Sequence, residues 1–112
     1  MDRHNPFYYK ELFGSLPTFF RIKDEQAAID LANDSPYGLA GSLFTQDIER
    51  GKWVAGQIDT AMVFINHPTW TQADLPFGGT KRSGYGRELS KLGINEFVNK
   101  KLIRVSELSD PF

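Results

Sequence analysis

The stretch LAGSLFTQDIERGKWVAGQIDTAMVFIN, residues 39–66, determines the fold that the sequence predicts. Its first six residues suit a short strand, and its last seven form the clearest buried strand of the chain. Between them, Thr45 is a good N-cap for a helix, and Asp47 and Glu49 occupy the first turn, where the helix dipole favours acidic side chains. The order strand, helix, strand predicts parallel strands joined by a right-handed crossover.

The residues before this stretch continue the alternation toward the N-terminus. Residues 16–23 carry two phenylalanines and an isoleucine and predict another strand. Asp24 is the predicted N-cap of a helix that runs to about residue 33, and the proline and glycine of DSPYG, residues 34–38, end that helix. The complete pattern is β-α-β-α-β, which predicts the α/β class with a parallel sheet.

The regular pattern ends after the last predicted strand of this series. Residues 67–88 contain two prolines and four glycines and predict a long loop, and loops of that length are usually functional or disordered. A short helix, interrupted or bent at Gly93, is predicted over residues 89–99. An exposed or edge strand over residues 100–106 and a tail over residues 107–112 complete the chain.

The composition narrows the classes of function. A chain of 112 residues is expected to form one domain, and its net charge of −1 gives no electrostatic drive toward nucleic acid or an anionic membrane. No apolar run approaches the roughly 18 residues that span a bilayer, and the N-terminus lacks the apolar stretch of a secretory signal. We therefore expect a cytoplasmic chain without nucleic-acid or membrane partners.

The sequence contains no cysteine, which excludes disulfides, thiolate metal sites and a cysteine nucleophile among its residues. The two histidines, His4 and His67, are far apart in sequence and do not show the spacing of metal ligands. We therefore expect neither a metal centre nor covalent catalysis by a thiolate.

The basic residues Lys81, Arg82 and Arg87 lie among glycines in PFGGTKRSGYGREL, residues 76–89. A phosphate-binding loop of the Walker type requires lysine and a hydroxyl residue directly after its last glycine, whereas here Tyr85 follows the glycine. The favoured interpretation is a tightly folded loop whose glycines supply positive φ angles and close backbone packing.

The same glycine-rich region carries a resemblance to a known family. Residues 76–97, PFGGTKRSGYGRELSKLGINEF, closely resemble the C-terminal signature of the NAD(P)-dependent aldehyde dehydrogenases. Three other stretches resemble that family in the same order: KELFGS (10–15), DEQAAIDLANDSPYGLAGSLFT (24–45) and TAMVFIN (60–66). FINHPTWTQADLPFGG and EFVNKKLIRV are most similar to the bacterial succinate-semialdehyde dehydrogenase branch.

The resemblance implies a fold, a reaction and a limit on what this chain does by itself. Enzymes of this family form a thiohemiacetal on a cysteine, transfer hydride to NAD or NADP and hydrolyse the resulting thioester. Their nucleotide-binding domain, cysteine and general-base glutamate lie upstream of the segment matched here. The chain is therefore expected to be a partial domain, the C-terminal piece of the catalytic domain, and inactive alone. The alternative is a non-catalytic βαβ module for interaction or assembly.

Two residues match cofactor-contacting positions of the family. Glu11 matches the glutamate that hydrogen-bonds the nicotinamide-side ribose, and Phe13 matches the aromatic residue near the nicotinamide. The alternatives are an exposed glutamate and ordinary core packing of the phenylalanine. The sequence departs from the family at two positions. It has Lys10 where the family usually has a second acidic residue, and Ser15 where the family usually has proline. We expect neither NAD nor NADP to bind tightly to this chain alone.

The substrate and partner assignments also follow from the resemblance. Phe77 matches an aromatic residue of the substrate tunnel, and Trp70 and Thr71 lie where the family sets its preference for a small aldehyde. The alternative for Trp70 is a surface aromatic that clamps a loop, and Asn66 is expected to tie down backbone. Residues 100–105 match a strand that pairs with a neighbouring subunit. The expected protein partners are therefore further copies of this chain in a homo-oligomer, or the upstream part of the same enzyme.

Overall fold

The computed structural model describes residues 3–110, and within that range short helices and strands alternate. In chain order they are α1 (Glu25–Asn33), β1 (Tyr37–Gly38), β2 (Ala40–Leu43), α2 (Ile48–Ala55), β3 (Met62–Ile65), β4 (Thr80–Lys81) and α3 (Ser90–Ile94). Strands β2 and β3 form one two-stranded sheet, and β1 and β4 form another. The mixture of helices and strands agrees with the predicted α/β class.

The predicted strand–helix–strand unit is confirmed. Strands β2 and β3 are parallel, in a register that runs from Ala40 opposite Met62 to Leu43 opposite Ile65. Helix α2 connects them and approaches the sheet closely at Gly51. A Cβ atom added there would lie 3.3 Å from Leu43 Cδ1 and 3.4 Å from Ile65 Cγ2. The glycine therefore lets the helix backbone lie against one face of the sheet.

The first helix begins as predicted, and the second begins two residues later than predicted. Asp24 Oδ1 accepts a hydrogen bond from the Ala27 amide at 2.8 Å and caps α1. The N-cap of α2 is Asp47, whose side chain accepts from the Arg50 amide at 3.0 Å, so the prediction of Thr45 was wrong. The Thr45 hydroxyl accepts a hydrogen bond from the Asp47 amide at 3.1 Å, and the Thr45 backbone is bonded to the Asn66 side chain, so the chain enters the helix only at Asp47.

Two predicted strands are not formed within the described part of the chain. Residues 16–23 have a strand-like composition, but no strand of the structure lies beside them to share backbone hydrogen bonds, and Phe19 is 82% exposed. The first strand of the β-α-β-α-β prediction was therefore wrong. Residues 100–106 likewise form no strand, and Leu102 and Val105 are each 90% exposed. Pairing of this segment with a neighbouring subunit stays a prediction.

The glycine-rich half of the predicted long loop is more ordered than expected. Strand β4 pairs antiparallel with β1, and Phe77 and Glu88 exchange backbone hydrogen bonds of 2.9 and 2.7 Å. Gly84 and Gly86 adopt φ angles of +116° and +84°, which confirms the role expected of the glycines. Helix α3 covers only the first half of the predicted helix, and Gly93 lies near its end.

The molecule is extended and has little core. The radius of gyration is 19.8 Å, and the principal dimensions are 66 × 32 × 30 Å. A compact chain of this length has a radius of gyration of about 13 Å. Among the described residues, Ile29 is the one large apolar side chain that is buried, at 4% exposure. Within residues 3–110, no helix is long and apolar enough to cross a membrane, and no cluster of potential metal ligands occurs.

Candidate substrate and cofactor sites

The three residues assigned to the substrate tunnel lie around one cavity. Trp70, Thr71 and Phe77 line a cavity of about 380 Å³. The remaining lining residues are Leu39, Ala40, Met62 and Thr69. The structure therefore brings together side chains from a strand, from the loop after it and from the start of the glycine-rich region.

The sheet supplies the floor of this cavity. Ala40 and Met62 are register partners, and side chains alternate between the faces of a strand. Because Leu43 and Ile65 lie against α2 at Gly51, Ala40 and Met62 point to the opposite face. The cavity thus lies on the face of the sheet that α2 leaves uncovered. Ala40 and Met62 were not predicted as site residues, because their position depends on the register of β2 against β3.

The loop that carries Trp70 and Thr71 is attached by backbone hydrogen bonds at Ala73 and Phe77, after these residues. The Ser90 amide donates to the Ala73 carbonyl at 2.9 Å, and Phe77 pairs with Glu88. Residues 66–76 are otherwise exposed along their whole length. The cavity wall therefore depends on two backbone attachments, one to Glu88 before α3 and one to Ser90 at its start.

The lining has a simple chemical character. Within the described part of the chain it contains five apolar side chains and two threonines, and no charged group. Apolar walls with a few placed hydroxyls suit a small molecule with a short hydrocarbon portion. The two hydroxyl groups, on Thr69 and Thr71, flank Trp70 in sequence and are able to donate hydrogen bonds.

The cofactor candidates are placed separately from this cavity. Glu11 lines a larger groove of about 590 Å³ between the N-terminal segment and α1, and Leu39 borders both the groove and the cavity. The Glu11 side chain is exposed and makes no hydrogen bond or ion pair with the described residues. Its carboxylate is thus available to accept hydrogen bonds from sugar hydroxyls. Phe13 is 94% exposed and lines neither the groove nor the cavity. The alternative of ordinary core packing is therefore wrong for this residue.

The groove is bounded by a cluster of hydrogen bonds around Asp34 that the sequence did not predict. Asp34, at the end of α1, accepts hydrogen bonds from Arg3 Nε and Tyr8 Oη, both at 2.9 Å, and from Tyr9 Oη at 3.2 Å. The Tyr8 hydrogen bond lowers the pKa of the Asp34 carboxyl below its usual range, and the positive charge of Arg3 contributes in the same direction. No local pattern marks this cluster, because the three donors lie 25 to 31 positions from Asp34 in sequence.

Asn66 has the backbone role expected of it. Its side-chain oxygen accepts from the Thr45 amide and its side-chain nitrogen donates to the Thr45 carbonyl, both at 2.8 Å. Asn66 itself has a φ angle of +57°, a conformation that asparagine adopts more readily than most residues. The pair joins the ends of β2 and β3 and directs the chain into the loop that carries Trp70.

Two of the three basic side chains in the glycine-rich region are occupied by internal bonds. Arg87 Nη1 donates to the carbonyls of Gly79 and Gly86, at 3.0 and 2.6 Å. Lys81 Nζ donates to the Asn33 carbonyl at 3.1 Å and lies 3.3 Å from the Asp59 carboxylate. These bonds support the interpretation of a tightly folded loop over that of a phosphate-binding loop.

Comparison with known proteins confirms the resemblance. The aldehyde dehydrogenase family matches residues 1–103. A succinate-semialdehyde dehydrogenase [NADP(+)] of Deinococcus radiodurans is 56% identical over 97 residues, which are 87% of this chain and 20% of that protein. A probable succinate-semialdehyde dehydrogenase [NADP(+)] of Synechocystis is 43% identical over 101 residues, 90% of this chain and 22% of that protein.

The fold agrees with a solved structure as well. The crystal structure of succinic semialdehyde dehydrogenase from Streptococcus pyogenes in complex with NADP+ matches with a TM-score of 0.91 and 47% identity, over 96% of this chain and 24% of that one. The chain spans about a fifth of the length of the curated relatives it matches. On the extent and identity of these matches, the chain belongs to the aldehyde dehydrogenase family.

Proposed function

We propose that this chain forms the substrate-tunnel wall and part of the cofactor-contacting surface of an NADP-dependent aldehyde dehydrogenase that oxidises succinate semialdehyde to the carboxylic acid. The observation that carries the proposal is the convergence of Trp70, Thr71 and Phe77 on one uncharged cavity above the sheet. The relatives named for succinate semialdehyde and NADP(+) support the choice of substrate and cofactor.

Each part of the cavity has a separate task in this proposal. The rings of Trp70 and Phe77 pack against the short hydrocarbon portion of the aldehyde and exclude water from it. The Thr71 hydroxyl orients the polar end of the substrate by a hydrogen bond. The substrate carboxylate requires hydrogen-bond donors, because burial of an unpaired charge is costly, and the described lining offers the hydroxyls of Thr69 and Thr71.

The cofactor contact is a smaller contribution. The Glu11 carboxylate is suited to accept hydrogen bonds from both hydroxyls of a ribose, and the exposed Phe13 ring is available to lie beside the nicotinamide. NADP, or NAD, when bound supplies the acceptor of the hydride. Two contacts do not offset the cost of association, which is about 4 kcal/mol or more, so tight binding to this chain alone is not part of the proposal.

The chain alone is proposed to be inactive. The family reaction requires a nucleophilic cysteine, and the 112 residues contain none. The tunnel wall acts only when the residues that carry out the chemistry are supplied by another part of an aldehyde dehydrogenase. An assay of the proposed role therefore needs a host enzyme.

The test is a chimera in which the matching segment of the Deinococcus radiodurans relative is replaced by this chain. The chimera should oxidise succinate semialdehyde with NADP+, and Trp70→Ala should raise KM by about tenfold with little change in kcat. The reason is that the lost apolar contact is made equally by the bound substrate and by the transition state. Steady-state kinetics measures both constants.

Trp53→Ala is the matched control. Trp53 lies on α2, is exposed to nearly the same extent as Trp70 (56% against 58%) and does not border the cavity. Its replacement should leave KM unchanged. A chimera that assembles and binds NADP+ but does not oxidise the aldehyde contradicts the proposal, and so does an unchanged KM in Trp70→Ala.

A second candidate function is a non-catalytic interaction or assembly module. It is favoured by the segment 100–106, whose apolar side chains Leu102, Ile103 and Val105 are between 77% and 90% exposed. The chimera distinguishes the two functions. An assembly module restores the oligomer of the host enzyme without restoring oxidation, whereas a tunnel wall restores both.

A further inference from the structure

Trp70 has a ring partner that belongs to neither the cavity nor the sheet. The centroids of the Trp70 and His67 rings are 6.4 Å apart, and the rings meet edge to face at 81°. His67 in turn lies against Phe64 of β3, with centroids 6.1 Å apart and an interplanar angle of 36°. The three rings form a continuous path from the sheet to the cavity wall.

The orientation of the His67 ring is fixed by a hydrogen bond. Nδ1 of His67 lies 2.7 Å from the Pro68 carbonyl oxygen. Because a carbonyl oxygen only accepts, Nδ1 carries the hydrogen atom of this bond. The ring is thus held by Pro68 on one side and by Phe64 on the other, and it presents a defined surface to Trp70.

His67 also lies between the attached residue Asn66 and the Trp70 ring. The backbone attachments at Ala73 and Phe77 both follow Trp70 in sequence. On the other side of Trp70, the chain is attached at Asn66 by its hydrogen bonds to Thr45, and the contact between the imidazole and the indole extends that attachment to Trp70. Aromatic pairs of this geometry are stabilising beyond the area they bury.

We propose that His67 is a positioning residue, which holds the Trp70 ring against the cavity and thereby sets the width of the site for its aldehyde. This inference rests on the proposed function. His67 does not itself border the cavity, so it acts through Trp70 and not by contact with the substrate. The property that acts on Trp70 is a flat aromatic ring at position 67. Phe64 supports that ring in addition to the Pro68 hydrogen bond, so a phenylalanine at position 67 should act in the same way.

The first experiment uses the 112-residue chain itself, with Trp53→Phe so that Trp70 is the one indole. His67→Ala should increase quenching of Trp70 fluorescence by acrylamide and remove its near-ultraviolet circular dichroism band. His67→Phe should restore both signals, because it keeps the edge-to-face contact. Gln72→Ala, in the same loop and bonded to Asp74, is the control that should change neither signal.

A second readout covers the case in which Trp53→Phe does not fold. The indole Nε1–H resonance of Trp70 is then followed in the chain with both tryptophans, after assignment with Trp70→Phe. The resonance should shift in His67→Ala and return in His67→Phe. An indole signal that is the same in all three sequences overturns the proposal.

The chimera measures the consequence for specificity. His67→Ala should raise KM for succinate semialdehyde about two- to tenfold, the factor an aromatic pair of this kind is worth, with kcat within about twofold. His67→Phe should restore KM. If His67→Phe has the same KM as His67→Ala, the ring nitrogens are what matter and the positioning role is wrong.

The two proposals fail in different ways. If the parent chimera does not oxidise the aldehyde, the proposed function is wrong, and the fluorescence of the isolated chain still decides the position of Trp70. If the parent chimera is active and His67→Ala leaves KM and the indole signals unchanged, only the positioning role is overturned.

Discussion

At the scale of single residues, Asp34 links the N-terminal segment to the end of α1. Its carboxylate accepts hydrogen bonds from Arg3, Tyr8 and Tyr9, and the Tyr8 bond is the largest cause of its lowered pKa. A carboxyl group whose pKa is lower in the folded state stabilises that state above its unfolded pKa, about 3.9 for aspartate. That stability is lost as the pH falls through the lower, folded value.

We predict that Asp34→Asn flattens the pH dependence of stability below about pH 4, the window set by the lowered pKa. Above that window the variant should be less stable than the parent chain, because the amide cannot replace the charged acceptor. Urea unfolding at several pH values measures the difference. Asp30→Asn, exposed on the same helix and bonded to Gln26, is the control. Parallel curves for the parent and Asp34→Asn would contradict the prediction.

At the scale of elements, the segment before α3 is held in a strained conformation. Leu89 has φ +60° and ψ −179°, a region that is essentially restricted to glycine, and Ser90 follows with φ +49°. Glu88 and Ser90, on either side of Leu89, are the two residues that attach the cavity loop through Phe77 and Ala73. The strained residue therefore lies between the two attachments of the cavity wall.

We predict that Leu89→Gly is more stable than Leu89→Ala by about 1–3 kcal/mol, the usual cost of such a backbone conformation. Both variants remove the same leucine side chain, and only alanine retains the strain. Urea denaturation of the two variants measures the difference. Equal stability, or a more stable alanine variant, would show that the backbone at this position is not strained.

The elements that the sequence predicted are those with local signals. Helix α1 has its aspartate cap, and β2, α2 and β3 follow from apolar runs and from acids in a first turn. The strands that did not form and the shifted start of α2 depend on distant partners. Residues 16–23 have the composition of a strand but no neighbouring strand in the described structure. The Thr45 amide donates a hydrogen bond to the side chain of Asn66, 21 positions away. Strand propensity reflects packing and pairing, which a single segment does not contain.

The candidate site likewise contains residues that the sequence identified and residues that depend on long-range pairing. Trp70, Thr71 and Phe77 were identified by resemblance, and the structure places them around one cavity. The floor residues depend on the register of β2 against β3, and the strand pairing of the glycine-rich region joins β1 to β4 across more than 40 positions. Neither the register nor that pairing has a local signal in the sequence.

At the scale of the whole molecule, the chain exposes surface that folded domains usually cover. Parallel sheets are normally buried on both faces, whereas here α2 covers one face and a loop lies over part of the other. Leu102, Ile103 and Val105 are largely exposed on a segment without a strand partner in the described structure. Apolar segments of this kind promote association between chains.

We predict that the chain self-associates and that Ile103→Lys shifts it toward the monomer, since a charge disfavours pairing of the exposed segment. Analytical ultracentrifugation over a range of concentrations measures the shift. Leu108→Lys adds the same charge to an exposed apolar position outside the segment and should have little effect. A monomer at high concentration that Ile103→Lys does not alter would mean that the segment is not a pairing surface.

One parallel assay decides whether the chain supplies a tunnel wall and lacks the residues that carry out the chemistry. NADPH formation from succinate semialdehyde and NADP+ is measured for the purified 112-residue chain and for the chimera at equal molar concentration. We expect a rate equal to the blank for the chain and sustained turnover for the chimera. Turnover by the chain alone, or an assembled chimera without turnover, would contradict it.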